Sequence, residues 1–153
     1  MRYLPFLMIP IFKRVFPVVH YSVFNNSSMD FRYGSKNRKS YKKAMKYTGY
    51  VQDHHCIPKQ FKNNKVLRDV EYDVNMPYNI QIMPTLEGIQ KLNLDPNTRT
   101  HYKGHPEYNK FIGKELNIIN NLDTLDEKQY QIWLLLKWVK YNNIKENDEI
   151  PWI

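Results

Sequence analysis

Only one cysteine, Cys56, and one alanine, Ala44, occur in this chain of 153 residues. A lone cysteine excludes an internal disulfide and a four-cysteine zinc knuckle, so any bound metal must be held mainly by histidine and carboxylate. Long apolar runs are missing too. The uncharged N-terminal stretches, residues 3–12 and 15–29, are separated by Lys13 and Arg14 and interrupted by Pro5, Pro10 and Pro17. Neither reaches the roughly 18 apolar residues of a membrane-spanning helix, and the prolines oppose a long helix. A secretory signal fits poorly without a small-residue cleavage site. No membrane span is expected, and the compartment stays open, with an intracellular one favoured over secretion. Residues 1–28 are expected to form an apolar extension that packs on the core or faces a partner, ending in the linker Asn25-Asn26-Ser27-Ser28.

Acids are absent from residues 32–46, where seven bases stand together: Arg32, Lys36, Arg38, Lys39, Lys42, Lys43 and Lys46. The whole chain carries 23 Lys and Arg against 15 Asp and Glu, a formal charge of +8. Outside that tract the two signs nearly balance, so the excess is local. Such a segment attracts polyanions, and Tyr33, Tyr41 and Tyr47 interleave flat faces suited to sugars or bases. The plainer alternative is a solvated helix face. With 42% hydrophobic and 25% charged residues the chain reads as globular rather than disordered. Its length suits one domain with an ordinary core.

Local patterns predict short elements. Residues 40–48 read as a helix with Ser40 as N-cap and Gly49 at its end. Residues 50–58 read as a strand carrying His54 and His55, and residues 59–69 as weakly helical. A loop then leads to a short strand over residues 80–83, a brief helix over residues 86–92, and a turn at Asp95-Pro96-Asn97. Two clearer helices follow. Pro106 suits a first helical position, with Tyr108, Phe111, Ile112, Leu116 and Ile119 at helical spacing. Thr124 and Glu127 form a capping-box pattern before Ile132, Leu135, Leu136 and Val139. Trp133 and Trp138 widen that stripe as core residues.

Four of the five histidines fall into two clusters, His54-His55 and His101-Tyr102-Lys103-Gly104-His105. His20 stands alone and reads as structural. A separation of four residues can place two imidazoles on one side of a helical turn, a spacing that recurs in metal sites. The adjacent pair can supply a third ligand and a base, because imidazole titrates near neutrality. Surface histidines in a polar loop remain the alternative at this point.

The segment Asp53-His54-His55-Cys56-Ile57-Pro58 resembles the His-His-x-x-Pro element of HNH nucleases, in particular their AHH branch. The stretch from Asp73 through Asn75, Pro77 and Asn79 to Pro84 is similar to that branch's asparagine-bearing strand. His101 to Asn109, with Gly104, His105, Pro106 and Tyr108, is similar to its closing signature, with one residue shifted or missing around the glycine. The resemblance covers about half the chain, three elements in the right order. It implies an α+β, mostly helical protein: a ββα-metal finger with flanking helices, over residues 29–121, and a C-terminal helix within residues 122–153 packed on it. It implies His54, His101 and His105 as ligands of one divalent ion (Zn, Ni, Mn or Mg). His55 would be the general base, and Asn79 would hold the loop that orients it. It also implies hydrolysis of phosphodiester bonds in DNA, with RNA possible as substrate. The basic tract at Arg32, Lys36, Arg38, Lys39, Lys42, Lys43 and Lys46 would grip nucleic acid. No small-molecule cofactor is expected, and oligomeric state is left open.

Several alternatives stay open in the sequence. Gly104 and Pro106 flank His105, so residues 101–105 can be a loop entering a helix. Adjacent strand residues point to opposite faces, which keeps alive a register with Asp53 as ligand and His54 as base. Gln52 stands where related DNase colicins carry a supporting glutamate, a change expected to weaken ligand orientation. Cys56 is either a soft ligand or a buried small hydrophobe. The competing functions are a binding module without turnover and a basic structural protein of virion type.

Overall fold

The computed structural model describes residues 31–101, 104–143 and 150–152; the expected N-terminal extension lies outside them. Within this range the fold is α+β, with five α-helices and one two-stranded antiparallel sheet. The order is α1 (Lys36–Ala44), β1 (Val51–His55), α2 (Lys65–Asp69), β2 (Ile80–Pro84), α3 (Leu86–Lys91), α4 (Pro106–Asn120) and α5 (Leu125–Asn142). Single 3₁₀ turns at Lys59–Phe61 and Pro77–Asn79 lead into α2 and β2.

The first helix starts earlier than its local pattern suggested. Ser35, not Ser40, is the N-cap, its side chain accepting from Arg38 N at 3.2 Å. The helix also stops at Ala44, short of Thr48. Lys46 takes a left-handed φ of 58°, and Tyr47 N and Lys46 N donate back to Lys42 O and Lys43 O at 2.8 and 3.0 Å. These two bonds form a Schellman closure that needs no glycine. Gly49, with φ 84°, instead serves the turn into β1.

Strand register sets the rest. His54 pairs with Gln81, Gln52 with Met83, and His55 with Ile80. Because side chains alternate, Gln52 and His54 share one face of the sheet while Asp53 and His55 share the other. Gly88 of α3 lies against the chain entering β1: a Cβ there would stand 1.9 Å from Tyr50 O, so only glycine fits.

The core forms between α2, α4, α5 and the chain around Cys56 and Ile57. The expected stripe on α4, from Tyr108 to Ile119, is buried, as are Ile132, Leu135, Leu136 and Val139 of α5. Trp133 and Trp138 pack on this core partly exposed. The capping box at α5 is present: Glu127 N donates to Thr124 Oγ1 at 3.2 Å and Thr124 N to Glu127 Oε2 at 3.0 Å. No described helix is long and apolar enough to cross a membrane.

Candidate metal centre

Three histidines from different places in the chain meet at one end of the sheet. His54 comes from β1. His101 sits in the loop before α4, tied to the end of β2 by His101 N donating to Pro84 O at 2.9 Å. His105 occupies the N-cap position of α4, with Pro106 as its first residue. Residues 101 and 105 therefore do not share a helical turn. The ring centroids of the three histidines nevertheless lie 5.2–5.5 Å apart. One ring nitrogen from each lies within 4.8 Å of the others.

Their hydrogen bonds decide which nitrogens carry the proton. His101 Nδ1 is 2.7 Å from Gln52 Oε1, and His105 Nδ1 is 3.1 Å from Asn109 Oδ1. Amide oxygens only accept, so both Nδ1 atoms carry the proton and both Nε2 atoms keep a lone pair. Asn109 is itself oriented, its Nδ2 donating to Gln60 Oε1 at 3.4 Å. Gln52 thus supports His101 although it is not an acid.

His54 is the most informative residue of the three. It is fully buried, and neither ring nitrogen has a hydrogen-bond partner. Buried polar atoms are rarely left unmatched, and each costs free energy when they are. Burial first, then the neighbouring His105 and His101, holds its imidazole well below the ordinary histidine range. Burial also lowers His101. Neutral imidazoles are the form that binds metals. An orphaned buried imidazole beside two others, each with one unprotonated ring nitrogen, fits a divalent cation.

His55 stands apart from this cluster. On the other face of β1, its Nε2 lies 3.1 Å from Asn75 Oδ1, and its ring packs on Tyr33 at 4.5 Å between centroids. The Asn75 oxygen must accept, which leaves the lone pair on His55 Nδ1. Burial pushes this imidazole down, as does Lys59, against an upward pull from the Asn75 bond.

Asn79 is buried, and its side-chain hydrogen bonds go to groups other than His55. Its Oδ1 accepts from Ile57 N at 2.8 Å and Tyr72 Oη at 2.6 Å, while its Nδ2 donates to Ile57 O at 2.9 Å and Val74 O at 2.7 Å. It staples the chain after β1 to the segment carrying Asn75. Cys56 is fully buried and its thiol is pushed up to about 12, so it is an inert small hydrophobe at neutral pH.

The basic tract divides into two sets. Arg38 is 7% exposed, and its Nε and Nη2 donate to the two Asp53 oxygens at 2.9 Å each. Lys42 Nζ reaches the same carboxylate at 2.9 Å, and Arg32 pairs with Asp73 at 2.9 Å. Burial alone would raise the Asp53 carboxyl, but Arg38 and Lys42 hold it below its ordinary value. Asp53 lies across the sheet from the three histidines, so the register with Asp53 as ligand finds its carboxylate engaged elsewhere. Lys36, Lys39, Lys43 and Lys46 are exposed. The first three, at i, i+3 and i+7 of α1, share one face.

A family model for AHH, described as a nuclease family of the HNH/ENDO VII superfamily with conserved AHH, matches residues 35–133. The chain belongs to the AHH nuclease family. In this member Asp53 precedes His54-His55, where the family description has alanine. The matched range holds β1, β2, α4 and all three clustered histidines. No curated protein and no solved structure matches the chain.

Residues outside local motifs also contribute. Trp152 packs against His54 and His105 at 5.1 and 4.9 Å between centroids. Neither its sequence surroundings nor its distance along the chain signalled this. Asn109 and Asn75 were visible in the quoted motifs but had no assigned partner there.

Proposed function

We propose that this AHH nuclease is a metal-dependent endonuclease that cuts DNA, using a ββα-metal arrangement. His54, His101 and His105 would hold one divalent ion. The observation that carries the reading is the buried, unpartnered His54 imidazole, with one ring nitrogen each of His54, His101 and His105 within 4.8 Å of the others. Three imidazoles favour Zn, Ni or Mn over Mg, which prefers oxygen ligands.

A bound ion supplies Lewis-acid polarisation of the scissile phosphate. The chain's own residues supply the rest. His55 takes a proton from water at Nδ1, which is free because Nε2–H is held by Asn75. Its lowered basicity keeps it neutral, and ready to accept, at pH 7. Asn79 maintains the loop geometry beneath it. Gln52 and Asn109 keep His101 and His105 in one tautomer. The outward lysines Lys36, Lys39, Lys43 and Lys46 would contact phosphates without reading sequence.

The alternative, a binding module without turnover, shares the basic face and the histidine cluster. Purified protein stripped with chelator and incubated with supercoiled plasmid tests the two readings. Nicking restored by Mn, Ni, Zn or Mg supports the endonuclease. Salt-sensitive binding with no cleavage under any ion supports the binding module. A parallel reaction on single-stranded RNA separates the two polymers.

A further inference from the structure

His101 and His105 each have a hydrogen bond that fixes the ring, to Gln52 and Asn109 respectively. His54 has none. Metal-ligating histidines usually donate their second nitrogen to a neighbour, which sets ring orientation. The His54 ring plane must therefore be set by packing. Two aromatic rings do this. Tyr108, fully buried, lies 5.0 Å from His54 between centroids and is fixed by its hydroxyl donating to Cys56 O at 2.6 Å. Trp152 lies 5.1 Å from His54, 4.9 Å from His105 and 6.3 Å, edge-on, from His101.

The indole is itself well placed. It packs on Tyr108 at 5.3 Å, the Arg99 guanidinium carbon stands 4.9 Å from its ring centre, and Ile150 two residues earlier is 2% exposed in the core. Indole has no lone pair to give a metal, and its one polar group donates. What it offers the three imidazoles is a rigid apolar wall that excludes water. The hydrophobic shell around an ion governs solvent access and local dielectric.

We propose that Trp152 is a positioning residue of the three-histidine site, setting the ring planes of His54 and His105 and closing the site to water on that side. The inference rests on the reading that His54, His101 and His105 hold an ion. It adds a determinant from outside the matched range of residues 35–133.

The test is titration of the full chain with Co²⁺, read by visible absorption and by tryptophan emission, for the parent, Trp152→Phe and Trp152→Ala. Trp152→Phe keeps an aromatic wall and should bind Co²⁺ near parent affinity. Trp152→Ala should bind about tenfold or more weakly. Its visible bands should weaken as water enters the shell, since coordination geometry shows in the spectrum. Co²⁺ should quench parent emission, and Trp152→Phe should lose most of that quenching while still binding. This last reading decides the matter even if Trp152→Ala fails to fold. Unchanged affinity and spectrum in a folded Trp152→Ala, or undiminished quenching in Trp152→Phe, would overturn the role of Trp152 and leave the ion site standing. A parent that binds no Co²⁺ overturns the ion site and this inference with it.

Discussion

His54 and His55 are neighbours on β1 with opposite surroundings: His54 is buried among the rings of His101, His105, Tyr108 and Trp152 and unbonded, while His55 Nε2 meets Asn75 Oδ1 at 3.1 Å. The alternation of a strand makes this division unavoidable, since one residue cannot join its neighbour's face without a bend. One imidazole is therefore available to a metal and the next to a proton. In the proposed mechanism this division would let mutation separate ion binding from proton transfer.

Asp53 is a structural anchor on the second face. Its carboxylate is the shared partner of buried Arg38 and of Lys42. Removing one member of a buried pair strands the other charge, at a typical cost of about 3–5 kcal/mol. Asp53→Ala should lower unfolding free energy by that order in urea titrations. Asp53→Ala combined with Arg38→Met should recover most of it, since an apolar replacement needs no partner. A single variant within about 0.5 kcal/mol of the parent would show that the pair contributes nothing.

The outward lysines should carry the salt dependence of DNA binding. Replacing Lys36, Lys39 and Lys43 together by Gln should reduce the slope of log affinity against log salt by up to about three contacts' worth, near 0.9 each. Arg38→Met should leave that slope almost unchanged, because its guanidinium is committed to Asp53. An unaltered slope in the triple variant would place the DNA-gripping surface elsewhere.

Glu115 on α4 is 4% exposed, and burial pushes its carboxyl above the ordinary value. A carboxyl raised in the folded state favours folding fully below its unfolded value, and that advantage fades as pH rises through the folded value. Glu115→Gln, which stays neutral, should therefore melt higher than the parent at pH 7. The gap should close as pH falls below about 4, the unfolded range for Glu. Melting curves at pH 7 and pH 4 check both halves; a gap that widens in acid contradicts the assignment.

Much of the fold was legible because its signals were local. The stripe from Tyr108 to Ile119 is buried, and the Thr124–Glu127 box caps α5. The start of α1 was not legible, because Ser35 and Ser40 offer the same capping oxygen. The helix register also brings Arg38 and Lys42 onto Asp53, 15 and 11 positions away. That same long-range pairing split a tract that looks uniform as a string of bases. The three histidines could be picked out by their spacing and by resemblance, and Gly104 and Pro106 already pointed to the placement of His105 at the entry of a helix. Trp152 could not be read at all, since nothing near it in sequence marks a residue that packs on His105, 47 positions upstream, and on His54.

Whether His55 is the base is decided by the single-turnover rate of plasmid nicking by His55→Ala, measured with the divalent ion at saturation. The rate should fall about 10²–10⁴-fold, the usual contribution of a general base, with the ion still bound as in the parent. A rate within a few-fold of the parent would contradict it, because His55 would then not be the group that takes the proton from water.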